Sequence, residues 1–466
     1  MAVAAGDKHT IVLNEDGICF SFGDNEYGQL GTGDTTRRLI PTRVAGLPPS
    51  VGPVRQVAAG AIHTGIVTDA GDLFMCGYGS DGQLGLGDSN HRATPTLVGR
   101  EVFNGEAVLM VSCGMHHTTV VTESGNVYTF GKGEYGQLGH GDEKTKLVPH
   151  QVPSAGFNGE RIVMAAAGMY HTVALSEAGN VFTWGYGMTG CLGHNTWNDR
   201  RAPRQVDGMW FGGGKVVFVA AGGFHTAAVT AEGSLFTWGH GEYGQLGHHS
   251  NITMYVPNLV VAGVFRGSVV VMAACGRNHT LAVTQDGGLW ACGRGCKGQL
   301  GLNDTKNKYV FRQVGVAAFG GAKVVTAAAG YKPPLNPGHS VAVTEDGALW
   351  TWGDSRSGQL GHGDVETRLV PTRVAAASLH GTRIGRCRPL PTTHALAFSM
   401  GTHGRLGAAS PLAALAGEPG LLTMIASAAN RWIGGAAGES EALVRLLGGV
   451  SADRRRRYVQ TTQAGS

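Results

Sequence analysis

The chain has 466 residues, including 76 glycines, 17 prolines and 8 cysteines, and 37 basic against 33 acidic side chains give a formal net charge of +4. Near-balanced charge provides no footprint for strong nucleic-acid binding, and no uninterrupted apolar run approaches the ~20 residues of a membrane span. Glycine far above the usual ~7% points to a turn-rich chain, and the absence of a signal-peptide pattern at the N-terminus leads us to expect an intracellular protein, cytoplasmic or nuclear.

The first element is the short apolar run "MAVAAG", followed by "DKHT" with His9. The histidine recurs every 54 residues, at His63, His117, His171, His225 and His279, and then at His339 after the insert "KPPLNP". Two further anchors keep the same phase. One is Gln29, Gln83, Gln137, Gln245, Gln299 and Gln359, with Cys191 in the vacant slot, and the other is Phe103, Phe157, Phe211, Phe265 and Phe319. A repeat of this period is therefore the first fact about the chain.

One unit, read from Arg161 to Val206, divides into four pieces. "RIVMAAAG" is an apolar run ending in glycine. "HTVALSEAGNVFTWG" is two short runs joined at Glu-Ala-Gly, where glycine supplies the positive φ that a tight hairpin needs. "VFTWG" alternates with the period of a strand. "RAPRQV" carries a proline whose slot recurs as Pro41, Pro95, Pro149, Pro203, Pro257 and Pro371. Proline removes a backbone donor, which predicts that this fourth strand is the outer edge of its sheet. A four-stranded sheet of this size cannot bury both faces alone, so the units must stack, and a closed ring leaves the fewest edges.

Five units carry a G-x-G-x-x-G pattern, as in "GYGMTG" (Gly185, Gly187, Gly190). One dinucleotide needs one such fingerprint, opening a helix after a strand. Five copies with no helical period after them read as repeat punctuation. Six of the eight cysteines occupy slots that other units fill with Trp, Ala, Leu, Val or Gln, so they read as small buried hydrophobes. No ligand set for zinc accompanies them, and no G-x-S-x-G, H-E-x-x-H or Walker loop occurs. We therefore expect no metal, no cofactor and no catalytic constellation. The histidines at 9, 63, 117, 171, 225, 279 and 339 are expected to make one blade-to-blade hydrogen bond per unit, as buried polar groups are normally satisfied.

Beyond residue 380 the pattern wears out. "TRIGRC" and "THALAFSMGTHGRLG" read as a degenerate eighth half-repeat over residues 381–407, placed to pack beside the shortened first strand and close the ring. Residues 408–466 have roughly helical apolar spacing at Leu412, Leu415, Leu422 and Ile425, broken at Pro419 and Gly420. They are expected to form a partly helical, partly disordered tail. Its "RRRR" (Arg454–Arg457) reads as a solvated cluster rather than a targeting or phosphate-contacting patch.

"AAGMYHTVALSEAGNVFTWGYGMTGCLGH" and its copies resemble the repeats of the regulator of chromosome condensation family, over residues 2–380. The resemblance implies an all-β, seven-bladed β-propeller of four-stranded blades in a domain spanning 1–380. It does not settle function, because relatives include a Ran exchanger, a plant UV-B receptor and domains of ubiquitin ligases. The receptor's G-W-R-H-T motif corresponds to "GDKHT", "GAIHT", "GMHHT", "GMYHT", "GGFHT" and "GRNHT", none with Trp, which sets that function aside. The exchanger's wedge lies in the loop after the third strand, and that loop has one length in all seven units. We therefore expect a protein-interaction platform, an adaptor or regulator in ubiquitin or small-GTPase pathways, with guanine-nucleotide exchange on a Ran-like GTPase as the alternative. The expected partner is a protein, not a membrane or nucleic acid. The resemblance places the residues between Gly and His on one face around the axis, which nominates Ile62, Met115, His116, Met169, Tyr170, Phe224 and Arg277, with Tyr331 and Lys332 from the inserted loop. A clustered apolar set there suggests either a contact surface or side chains that plug the channel.

Overall fold

The computed structural model describes residues 2–330, 338–379 and 381–385. They form seven four-stranded antiparallel sheets, each with its strands in sequence order. In the first blade the strands are Val3–Ala5, His9–Leu13, Cys19–Gly23 and Arg38–Arg43; in the fourth they are Ile162–Ala167, His171–Ser176, Val181–Gly185 and Arg200–Gln205. The first strand of each blade lines a central channel of about 190 Å³. Its walls are mostly Ala, Val and Met, because only every second residue of an inner strand can enter the core between blades.

All six recurring prolines lie in fourth strands, at the outer edge of each sheet. Their missing N–H therefore faces no ladder partner, which agrees with the sequence expectation. The recurring phenylalanines end the short 3-10 turns that carry the chain from one blade to the next. Each is buried edge-on against an aromatic ring of the following blade, as in Phe157–Phe182 at 5.5 Å and Phe211–Phe236 at 5.4 Å.

The core lies between sheets. One cluster joins Val173, Leu175 and Val181 of blade 4 to Val219, Phe236 and Trp238 of blade 5. Another joins Val12, Phe20 and Phe22 of blade 1 to Val341, Val343 and Leu349 of blade 7, so the ring is closed by ordinary blade packing. The first strand of blade 1 is short because its opening residue comes from the far end of the chain. Ile384 bridges Asn14, as Val54 pairs with Thr68 in blade 2. Gly385 N–H donates to Leu13 O at 3.0 Å, and Glu15 N–H donates to Arg383 O at 3.1 Å. Ile384 itself is 1% exposed. The rest of the expected eighth half-repeat, the expected helical tail and the Arg454–Arg457 cluster lie outside the described residues.

A candidate interaction face

Each blade begins its second strand on the recurring histidine, which lies fully inside. His9 Nε2 is 3.0 Å from Thr64 Oγ1 of the next blade. That hydroxyl donates to Gln29 O at 2.7 Å, so it accepts from an Nε2–H. The relay repeats around the ring through His63–Thr118, His117–Thr172, His171–Thr226, His225–Thr280 and His279–Ser340. Burial lowers the pKa of His63 to about 3 and that of His9 to about 4. In the first six blades the glycine three residues ahead leaves room for the ring: a Cβ on Gly60 would lie 2.4 Å from both His63 Cε1 and Gly114 O. The histidines thus form structural staples. They face successive blades, and the described residues contain no group of three or more His, Cys, Asp or Glu placed to hold a metal ion.

Above this belt, two loops per blade share one face: the Gly-x-x-His turn and the loop after the third strand. Their side chains assemble a continuous row of rings across blades 3 to 5. Tyr135 stands 4.9 Å from Tyr170 and 5.2 Å from Tyr186, centroid to centroid. Phe224 lies 6.1 Å from both Tyr170 and Tyr186, and 6.4 Å from His240. His240 leads to Tyr243 at 6.3 Å. At the blade 6 end, Arg277 Cζ sits 5.8 Å from the Phe224 ring and Arg294 Cζ 5.0 Å from the Tyr243 ring, both within cation–π range. At the other end His116 stacks toward Tyr170 at 6.4 Å and bonds Asp81 at 2.9 Å. That bond holds the Asp81 carboxyl below its ordinary pKa. Partial burial raises the Tyr170 and Tyr186 phenols, so both remain protonated donors at neutral pH.

Three family models agree on what this scaffold is. The RCC1-like domain matches residues 148–401, and the regulator of chromosome condensation repeat matches 16–67 and 70–121, with a second model of that repeat at 2–29 and 111–137. The chain belongs to the regulator of chromosome condensation (RCC1) repeat family. It is 34% identical over 382 residues to the ultraviolet-B receptor UVR8 of Arabidopsis thaliana, covering 82% of this chain and 83% of that one. It is 31% identical over 378 residues to the secretion-regulating guanine nucleotide exchange factor of Mus musculus, covering 77% and 79%. Among solved structures, human WBSCR16 superposes with a TM-score of 0.67 at 26% identity, covering 77% of this chain and 94% of that one.

On this RCC1 scaffold the nominated residues separate. His116, Tyr170, Phe224 and Arg277 come together in the aromatic row, while Ile62 and Met115 are half-buried in the neighbouring turns. Met169 is a correction: it is 3% exposed and belongs to the interior. In the first six blades the first residue of the Gly-x-x-His turn donates its N–H to a carbonyl of the next blade, as Met169 does to Gly222 O at 3.3 Å and Met115 to Gly168 O at 3.2 Å, so this slot lies close against the neighbouring blade. Ala61 and Gly223 are buried there like Met169, whereas Arg277 is long enough to reach the surface. Tyr331 and Lys332 lie outside the described residues.

Sequence reasoning missed Tyr135, Tyr186, His240, Tyr243 and Arg294. All five sit inside the G-x-G-x-x-G punctuation, at the positions between its glycines. The glycines fix the loop path, as Gly185 does at φ 102°, where a Cβ would lie 2.4 Å from Tyr170 O. The residues between them are free to vary, and the signal was there in "GYG" and "GEYG". The tryptophans of the third strand are elsewhere: Trp184, Trp238 and Trp352 are fully buried, each donating its indole N–H to a carbonyl of the preceding blade at 2.9 Å.

Proposed function

We propose that this chain is a non-catalytic protein-interaction platform whose binding face is the Tyr135–Tyr170–Tyr186–Phe224 row. The observation that supports this reading is the division of labour within the repeat. The recurring His, Thr (Ser340 in blade 7) and Gly positions are spent on blade-to-blade bonds inside the ring. The variable positions of the same turns gather aromatic side chains and arginines on one face. Tyr and Arg are enriched among residues that dominate binding energy, because they offer large contact area with few torsions to freeze. The role extends to adaptor or regulatory work in the cytoplasm or nucleus; among the described residues no helix is long and apolar enough to cross a membrane.

The experiment is affinity capture from cell extract with mass-spectrometric identification, comparing the natural chain with Tyr170→Ser/Phe224→Ser. Partners that depend on the row disappear with the double variant while the fold survives. An unchanged partner set would remove this reading.

A second reading is nucleotide exchange on a Ran-like GTPase, favoured by the similarity to the mouse exchange factor. Against it stands the uniform loop after each third strand, a step of five from Gly23 to Gly28 and likewise in every blade through Gly353 to Gly358. No blade carries a wedge there. Release of mant-GDP from Ran at micromolar protein decides between the readings. We expect background rates, and an acceleration of roughly a hundredfold, about 2.7 kcal/mol of barrier, would reverse the order.

A further inference from the structure

The inner strands carry a second pattern that the interaction face does not use. Two residues before the glycine of each Gly-x-x-His turn stand Ala4, Ala58, Ala166, Ala220, Ala274 and Ala328, with Ser112 in blade 3. All seven line the central channel. Two residues further back, Met110, Met164, Phe218 and Met272 line it from the consecutive blades 3 to 6. Met110, Phe218 and Met272 are only half-buried, as are Ala166, Ala220 and Ala274, so these side chains keep surface open onto the channel.

The blades cannot draw together to close this space. The glycines of the turns already pack backbone on backbone: a Cβ on Gly6 would lie 2.4 Å from Gly60 O, and the contact repeats around the ring to Gly330, whose Cβ would lie 2.7 Å from Gly6 O. The polar side chains of the wall are turned onto neighbouring inner strands. Gln56 holds the Met110 slot in blade 2; its Nε2 donates to Val111 O at 3.2 Å and its Oε1 accepts from Val111 N–H at 3.0 Å. Ser112 Oγ accepts from Ala167 N–H at 3.0 Å. Arg55 lies near the start of its strand, where Nη2 donates to Val108 O at 2.7 Å and Leu109 O at 3.0 Å. Neither tier contains a charged residue.

We propose that the channel is a binding site for a compact, uncharged apolar molecule of single-ring or short-alkyl size, held between the alanine tier and the methionine–phenylalanine tier. An apolar cavity of about 150 Å³ stays dry and takes up benzene or xenon, and this one measures about 190 Å³. The unbranched thioether of methionine adapts to the shape it meets. A charged ligand would give up its hydration with no opposite charge in either tier to replace it. The site lies along the ring axis, apart from the aromatic row, and does not depend on the platform reading.

The test is NMR of the full chain, labelled at its methionine methyls and titrated with toluene, n-hexane, benzoate and benzylammonium. Toluene and hexane shift Met110, Met164 and Met272 saturably. Met188 and Met209, which are 61% and 69% exposed, do not move. The two ions bind at least about tenfold more weakly, the effect of an uncompensated charge. Ala220→Phe fills the channel and removes the shifts, whereas Ala202→Phe, on the exposed outer strand of blade 4, leaves them. Ala274→Leu, a smaller addition, weakens binding and serves as the plug if the Phe variant does not fold. The proposal is overturned if neither toluene nor hexane gives saturable shifts, or if the methyls that move are Met188 or Met209. It is equally overturned if a folded plug variant binds like the natural chain, or if either ion binds as tightly as toluene.

Discussion

His339 Nε2 lies 2.8 Å from Thr10 Oγ1, across 329 residues of sequence, and the same hydroxyl donates to Gln359 O at 2.8 Å. The contact that joins blade 7 to blade 1 is thus chemically the same as the six that join the other blades. The ring needs no special lock at this level, because each blade offers its neighbour a hydroxyl with one donor and one free lone pair.

Breaking one relay should be costly, and the chain itself supplies the control. Thr64→Val leaves His9 Nε2–H buried without a partner, at about 1–3 kcal/mol, and leaves Gln29 O only the weak Cys76 thiol donor at 3.9 Å. Thr64→Ser keeps the hydroxyl, as Ser340 does naturally, and should cost well under 1 kcal/mol. Urea midpoints measured side by side separate the two, and equal midpoints would mean that the relay contributes nothing.

Acid should unfold the ring. The histidine pKa values fall from 6.5 to about 3 in His63, His117 and His225, and to about 4 in His9, His171 and His279, with burial the first cause in each. Above pH 6.5 both states are neutral and the stability is complete. As pH falls from 6.5 toward 4 the unfolded chain takes up protons that the folded chain refuses, so stability drops. Each histidine removes about 1.4 kcal/mol per pH unit in that window. Denaturation curves from pH 7.5 to 4.5 should show a steep loss beginning near pH 6.5, and a flat profile down to pH 5 would contradict the neutral belt.

The far end of the chain should matter through one side chain. Ile384 is buried between blades 1 and 7, and Ile384→Ala should cost about 2–5 kcal/mol. Deleting residues 381–466 also removes the backbone bonds at Glu15 and Leu13, so its melting temperature should fall at least as far. A deletion that melts like the full chain would show that the bridge to Asn14 contributes little.

Adjacent residues of one turn should behave oppositely. Met169→Ser puts a hydroxyl into the interior and should destabilise by about 2–4 kcal/mol. Tyr170→Ser changes a surface ring and should move stability by less than about 1 kcal/mol while weakening partner capture. Thermal melts on the two single variants, with capture assays at a temperature where both are folded, check this. A destabilisation larger at Tyr170 than at Met169 would reverse their assignment.

Repeat period, four strands per unit, proline edges and stacking into a ring were legible in the residues alone, and the seven-bladed propeller was what the family resemblance implied. They are local or periodic facts: glycine where φ is positive, proline where a donor is superfluous, alternation where a strand is half-buried. The role of the histidine was legible for the same reason, since a polar residue fixed in phase with a buried strand must find a partner at the same offset each time. The direction of Met169 was not legible, because Met115 holds the same slot with the same backbone bond and is half-buried, so the burial depends on the neighbouring blade and not on the turn itself. The aromatic row was not legible either. Tyr135 and Tyr170 are 35 positions apart and Phe224 lies 54 beyond Tyr170, and only closure of the ring brings those separations to ring-contact distance. Ile384 is the opposite case: the worn eighth unit put "TRIGRC" beside the shortened first strand in advance, and the structure adds which residue takes the slot, Ile384 opposite Asn14. Periodicity lies within one repeat and can be read from it, whereas a surface shared by four blades exists only after the blades have been arranged in space.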